Sequence, residues 1–437
     1  MFDTIVALAT APIKSALMII RLSGDDSFKI VSKVFSKDLT NNPKKDIHFG
    51  YIKNGQETID QVVLLTYVAP HSFTGENSVE IICHGSLLIA KEIIELLLSN
   101  GARMATNGEF SSRAFLNGKI DLIQAEAIND LINATSKEAK DLSLLALTGE
   151  NSRIFLPLYN QLADLLSSIE VNIDYPEYED IEVISREKVI SSCNKIIDEL
   201  EVLIKNGERD RIYLEGVKVA IVGKPNVGKS SLLNAFLNED KAIVTPLAGT
   251  TRDIVEGQFN LSGVPIHLFD TAGLHESNDF IEQIGINKAK ESIDKADLIL
   301  FVVDETGFDD ELFSLIKDKN YLIVYNKKDL LKNIDDKHIF ISAKEKDIMS
   351  LLNKMKEALN IGEVTIQPSF NNVRQLAILK RMVSSLKIAM DDASKNEPID
   401  LISTSVLSAY NASLDLLGKS NKNDLVDEIF SRFCVGK

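Results

Sequence analysis

The chain has 437 residues, 45% of them hydrophobic, with a net charge of −16. That length exceeds one ordinary core and predicts roughly two to four domains, while the acidic balance excludes a surface that coats nucleic acid over its whole extent but leaves room for a local basic patch. The three cysteines, Cys83, Cys193 and Cys434, are too dispersed for a metal cluster or a disulfide framework, which fits a reducing, cytoplasmic location, and no apolar run reaches the roughly 18 residues of a membrane span.

Residues 1 to about 118 read as an α+β domain. The opening lacks a basic n-region and runs into strand-like alternation, so it reads as structure and not as a signal peptide. Strands are predicted at Ile5 to Ala9, Ala16 to Leu22, Phe49 to Lys53, Gln61 to Tyr67 and Val79 to Cys83. The turn signal Lys53-Asn54-Gly55-Gln56 joins the third strand to the fourth. Ser27 to Phe35 predicts a short helix, and Ser86 to Asn100 a long amphipathic one that stops at Gly101.

From residue 119 to 212 glycine becomes rare and leucine and isoleucine recur at three and four, a helical-bundle pattern. Pro157 predicts a helix start or a kink. The acidic break Ile173 to Asp180 predicts a loop. Short apolar runs then alternate with helix-length segments from Val217 to about residue 362, which predicts a mostly parallel sheet covered on both faces. Helical pattern resumes at Val373 to Met390, Asp400 to Leu417 and Lys422 to Phe433. Helices on both sides of an α/β unit predict an inserted domain; two separate helical regions are the alternative.

The inserted unit carries the chemistry. Val217 to Val222 is a buried-strand run, and Gly223 to Ser230 follows as G-x-x-x-x-G-K-S. Such a loop turns backbone N–H groups of Gly223, Asn226, Val227 and Gly228 around a phosphate. Lys229 reaches the β/γ-phosphates, Ser230 suits Mg²⁺, and Ser231 lies at the helix N-terminus. Asp270 to Gly273, DTAG, ends another apolar run: Asp270 suits Mg²⁺ through water and Gly273 an N–H to the γ-phosphate. In GTTRD, Gly249 to Asp253, Thr250 or Thr251 can close on the metal, with Thr251 preferred. NKKD, Asn326 to Asp329, follows the run Tyr321 to Tyr325. Asp329 can accept from the guanine N1–H and exocyclic amine, Asn326 can bind the base and tie loops, and Lys327 can lie along the base plane. Ser342, Ala343 and Lys344 place N–H groups near the guanine O6. These motifs in this order predict a GTPase.

The residue after DTAG is Leu274, which cannot orient a water. His275, Glu276, Asp279 and Glu282 all stand within reach as candidate bases. The Asn226 carbonyl can bind a monovalent cation whose charge replaces an arginine finger.

GKPNVGKSSLLNAF, the GTTRD loop, DTAGL with IEQIG, and the terminal Cys-Val-Gly-Lys together resemble the tRNA modification GTPase family known as MnmE or TrmE, over the whole chain. The resemblance implies a multidomain fold: a tetrahydrofolate-binding-like α+β domain (1–118), a discontinuous all-α domain (119–212 and 363–437) and an inserted Ras-like P-loop domain (213–362). It implies a K⁺-dependent, homodimeric GTPase that works with a FAD-dependent partner, MnmG or GidA. Together they would place an aminomethyl or carboxymethylaminomethyl group on C5 of the wobble uridine of certain tRNAs. K⁺ would be held by Asn226, Thr245, Leu247 and Thr250, and Mg²⁺ by Ser230, Thr251 and Asp270. Glu282 would be the general base. A 5,10-methylene or 5-formyl tetrahydrofolate would meet Arg21, Glu80, Arg113 and Lys119, carried by Pro70 to Gly85 and Glu109 to Asp121. Cys434 would act in tRNA modification, with Lys437 beside it. The loop Ala11 to Ala16 departs from the family's glycine-rich form, and Arg374 is followed by Gln375 where the family often has histidine. The competing reading is a GTP-switched RNA or ribosome assembly factor without modification chemistry.

Overall fold

The computed structural model describes residues 3–41, 43–174, 185–237, 257–270, 293–305, 307–330, 338–362, 365–420, 429–431, 433 and 435–436, with the backbone alone at Asp270. Two compact units emerge. The first comprises Met1–Asn129, Leu147–Tyr159 and Val406–Lys437; the second comprises Asp130–Ala146 and Asn160–Ser405.

The first unit is built on β1 (Ile5–Leu8), β2 (Leu17–Ser23), β3 (Asp46–Asn54), β4 (Glu57–Tyr67), β5 (Ser78–His84) and β6 (Arg103–Met104), in the order β3-β4-β5-β2-β1-β6. Neighbours are antiparallel except β1 and β6, which run parallel. The period-two alternation of β2 decides its two faces. Met18, Ile20 and Leu22 enter a core with Ala90, Ile93 and Leu97 of α2 (Leu87–Ser99) and with Phe28, Ile30 and Val31. The last three lie in the short helix α1 (Ser27–Ser32). Each such buried Met, Ile, Leu, Val or Phe contributes about 1.5–3 kcal/mol relative to exposure. Arg21 points to the other face and pairs in register with Glu80 of β5. The hairpin turn falls where the sequence puts it, between Asn54 and Glu57.

Helix α3 (Glu109–Leu116) was not among the predicted elements. Its Arg113 side chain is 3% exposed and meets Asp3, Glu76 and Glu109 at 3.0, 3.2 and 2.9 Å. Arg103 Nη2 donates to Asp3 and Glu109 at 2.9 and 2.7 Å. Hydrogen bonding from Arg103 holds the Asp3 carboxyl down at about 2. Burial works to raise Glu109, but Arg103, the Thr106 N–H and Arg113 outweigh it and hold it at about 2. Both folded values lie below the ordinary ones of 3.8 and 4.5. The stabilisation is therefore present above about pH 4.5 and lost as pH falls toward about 2. Hydrogen exchange of the α3 amides should show the gap in protection between wild type and Arg103→Gln shrinking steadily from pH 5 to 2.5. A gap unchanged over that range would refute the network's role.

Helices α4 (Leu122–Asn133), α5 (Lys137–Leu147), α6 (Glu150–Asp174) and α7 (Arg186–Glu215) follow. Pro157 lies inside α6, so the helix continues through it and not merely up to it. In the second unit α7 leads through Gly216 into β7 (Val217–Val222). That strand belongs to a sheet with β8 (Gly257–Leu261), β9 (Val264–Asp270), β10 (Leu298–Val303), β11 (Tyr321–Tyr325) and β12 (Ile339–Phe340), in the order β12-β11-β10-β7-β9-β8. All neighbours are parallel except β8 and β9.

β7 is apolar throughout because both faces are covered. Val219 and Ile221 pack with Leu232 and Phe236 of α8 (Lys229–Leu237) and with Leu351 and Met355 of the helix Met349–Ala358. Ala220 and Val222 pack with Ile299, Phe301 and Ile316 on the opposite side. After the sheet, the helix Val373–Ser394 returns to α7, with ion pairs Lys380–Glu208 and Lys387–Glu201 at 2.6 and 2.8 Å. The chain thus leaves a helical layer, builds the sheet and comes back, which is the inserted arrangement. The predicted helix Lys422 to Phe433 lies mainly outside the described residues. No helix among the described residues is long and apolar enough to cross a membrane.

Candidate functional site

The phosphate loop sits at the C-terminal end of β7, where it turns into α8. Asn226 holds φ 61°, a left-handed conformation that asparagine tolerates. Lys229 is 7% exposed, and its Nζ donates to the Gly223 and Lys224 carbonyls at 2.9 and 2.8 Å. The ammonium is thereby held across the mouth of the loop. Ser230 is exposed at the start of α8, Ser231 follows it, and Val227 is buried beneath. Gly228 has φ 96°, and a Cβ there would lie 2.2 Å from Asn326 Nδ2. The loop can therefore approach Asn326 only without a side chain.

Asn326 is the tie between the loops. It is 2% exposed. Its Nδ2 donates to the Val227 carbonyl at 2.8 Å, and its Oδ1 accepts from the Ala343 N–H at 3.1 Å. One amide thus joins the phosphate loop, NKKD and the Ser342–Lys344 segment. Asp329 is exposed, and its Oδ1 accepts from the buried Ser342 hydroxyl at 2.9 Å. Ser342 and Asp347 exchange backbone bonds at 3.1 and 3.0 Å, which fixes the turn. Lys344 is exposed beside it. Lys327 has φ 60° and pairs with Asp304 at the end of β10. Asp304 escaped the sequence reading. Its signal was a carboxylate directly after the apolar run Leu298–Val303, next to the strand that carries NKKD.

Asp270 ends β9, in register with Ile221 one residue before β7 ends. The structure therefore brings that backbone to the same C-terminal end of the sheet as the phosphate loop. Thr245, Leu247, Thr250, Thr251, Gly273 and Glu282 lie outside the described residues, as do Cys434 and Lys437 and the Asp270 side chain.

In the first unit Arg21 and Glu80 meet. The guanidinium donates to Glu80 Oε1 at 2.9 Å from Nε and stands 2.7 Å from it through Nη2. The same guanidinium lies 5.8 and 5.7 Å from the Phe73 and Phe110 rings, within cation–π range. Burial and the Glu80 charge push the Tyr67 hydroxyl up. Arg113 stands apart from this pair, engaged by three carboxylates, and Lys119 Nζ donates to the Pro70 carbonyl at 3.0 Å. Cys83 and Cys193 are buried, and burial pushes both thiols up to about 11, so both are inert core residues.

Two family models match the chain: "GTP-binding protein TrmE N-terminus" over residues 4–119 and "MnmE helical domain" over residues 122–434. The tRNA modification GTPase MnmE of Mycoplasma mycoides is 41% identical over 452 residues, covering 100% of this chain and 99% of that protein. Its counterpart in Mycoplasma mobile is 42% identical over 444 residues, covering 100% of both. Among solved structures, the G domain of the T. maritima FeoB iron transporter is 26% identical, covers 33% of this chain and 98% of that one, and has a TM-score of 0.25. With both models matched and relatives aligned from end to end, the chain belongs to the MnmE/TrmE family of tRNA modification GTPases.

Proposed function

We propose that this protein hydrolyses GTP as the switch component of tRNA wobble-uridine modification. The observation that carries the nucleotide part is the Asn326 amide, which binds the phosphate loop and the guanine-reading segment into one frame. Membership of the family supplies the tRNA part.

Within that reading Lys229 neutralises the β/γ-phosphates, Asp329 reads the guanine edge, and Glu282 acts as general base through a water. The described phosphate loop suits the nucleotide: Gly228 leaves out the side chain that would foul Asn326, and a buried lysine spans its mouth. Mg²⁺ would be held by Ser230, Thr251 and Asp270 and would offset phosphate charge. K⁺ would be held by Asn226, Thr245, Leu247 and Thr250 and would supply the positive charge that an arginine finger gives elsewhere. Arg21 and Glu80, set beside Phe73 and Phe110, suit the polar edge and flat ring of a tetrahydrofolate; Arg113 is engaged with carboxylates, so it would shape that site more than bind in it. A second copy of the chain, a FAD-dependent partner and tRNA complete the assembly, in the cytoplasm.

The test is mass analysis of wobble uridine in tRNA from cells lacking the gene, complemented with wild type or Cys434→Ser, alongside GTP turnover in KCl and NaCl. Loss of the C5 group restored by wild type alone, with turnover at least tenfold faster in KCl, is the expected result. Unchanged uridine in the deletion strain would favour the assembly-factor reading. Equal turnover in the two salts would remove K⁺, and normal turnover in Glu282→Ala would remove the base.

A further inference from the structure

Three side chains of NKKD are each held by a partner outside the motif. Asn326 bridges Val227 and Ala343, and Asp329 accepts from Ser342. The third, Lys327, reaches Asp304, with Nζ 2.5 Å from Oδ2. The Asp304 side chain is 2% exposed and that of Lys327 35%, so the pair stands at the margin of the site with its acidic end enclosed. Backbone sets both ends of the pair. The Asn326 N–H donates to the Val303 carbonyl at 2.8 Å, which ties the end of β11 to the end of β10. Lys327 then takes φ 60°. That conformation costs a lysine energy, and it turns the side chain back toward β10. On the other side the Gly307 N–H donates to the Asp304 carbonyl at 3.1 Å. The Phe308 ring packs 5.2 Å from Phe301 and 4.9 Å from Phe313. Asp304 therefore holds the lysine from a fixed place.

We propose that Asp304 is a positioning residue for guanine binding: it anchors the Lys327 ammonium so that the aliphatic stem lies as a fixed shelf for the flat face of the base. The proposal rests on the reading that NKKD binds guanine. A lysine loses much rotamer freedom when it is pinned, and a stem pinned in advance has lost that freedom before the base arrives. The ordered stem then covers one face of the ring while the head stays with its partner. The positive charge has a separate task, which is to offset the enclosed carboxylate. It is engaged inside the protein, and Lys229 is left to meet the phosphates.

The experiment uses the full chain as Asp304→Ala, Lys327→Ala, the double variant and Asp329→Asn. Titration with a fluorescent GDP analogue gives nucleotide affinity. Displacement of that analogue by inorganic pyrophosphate gives the affinity of the phosphate loop alone. The expected result is GDP affinity at least fivefold lower in Asp304→Ala, with pyrophosphate affinity within twofold of wild type. A merely structural role would weaken both together and leave their ratio unchanged, which would overturn the proposal. Because Asp304 acts through Lys327, the double variant should bind GDP no more weakly than Lys327→Ala; losses that multiply in the double variant would place the action of Asp304 elsewhere and overturn it too. A loss of GDP affinity below fivefold in Asp304→Ala, beside a weakened Asp329→Asn, would remove the anchor and spare the guanine reading. Wild-type GDP affinity in Asp329→Asn would sink that reading and the proposal with it. Should Asp304→Ala fail to fold, the double variant, in which both charges of the pair are gone, decides by the same comparison with Lys327→Ala.

Discussion

Asn326→Ala is expected to weaken GDP binding by at least about a hundredfold, a loss of about 2.7 kcal/mol. The change removes a donor to the Val227 carbonyl and an acceptor from the Ala343 N–H. Asn326 itself is 2% exposed and Ala343 5%, so water does not readily take over. Each buried group left unpaired costs about 1–3 kcal/mol, so two such groups cost about 2–6 kcal/mol, a range that contains the predicted loss before any contact with the base is counted. The substitution also removes the amide against which Gly228 packs, which frees the phosphate loop to shift. Asn326→Asp makes a sharper control. It keeps an acceptor for the Ala343 N–H, loses the donor, and sets a carboxylate against the Val227 carbonyl, so it should bind no better than the alanine variant. Titration of a fluorescent GDP analogue reads both. Affinity within threefold of wild type for Asn326→Ala would mean that the loops hold their places without the amide. Because the chain has two compact units, a single melting temperature would blend them, and nucleotide affinity is the cleaner readout.

Much of this site was legible because its parts are short and contiguous. The phosphate loop, NKKD and Ser342–Lys344 each follow an apolar strand, and a strand buried on both faces announces itself as an unbroken apolar run. The inserted position of the sheet was legible for a related reason: the residue period changes at Val217 and changes back at Val373. What the sequence hid depends on partners distant along the chain. Arg113 lies 110 residues from Asp3 and 37 from Glu76, and no local pattern reports that they meet. Helix α3 was missed with it, since Glu-Phe-Ser-Ser offers weak helical periodicity and the helix is fixed by the carboxylates around Arg113. β6 has only two residues, too few for any alternation. Pro157 offered a helix start or a kink, and its place inside α6 excludes only the start, because tertiary packing overrides the local cost of a proline within a helix. The Ser342 contact to Asp329 was hidden likewise: both motifs were visible, but not that one orients the other.

That contact determines the second large effect. Asp329→Asn is expected to lower affinity for GTP by roughly 10²–10⁴-fold and to raise affinity for xanthosine triphosphate above it, because a site built to hydrogen-bond one base rejects another whose donors and acceptors do not match. The Asp329 carboxylate accepts from the Ser342 hydroxyl at 2.9 Å. In asparagine the carbonyl oxygen keeps that partner, since an NH₂ cannot accept. The amide donor is then presented to the base. Guanine offers a donor there, its exocyclic amine, and donor faces donor. Xanthine carries a carbonyl oxygen at the same position and accepts. Ser342 therefore sets the sense of the switch, and Ser342→Ala combined with Asp329→Asn should blunt the xanthine preference by freeing the amide to flip. Turnover of both nucleotides by wild type, the single variant and the double variant measures this. A single variant that still prefers GTP would show that Asp329 does not read the base, whereas equal xanthine preference in single and double variants would spare Asp329 and remove Ser342 as its guide.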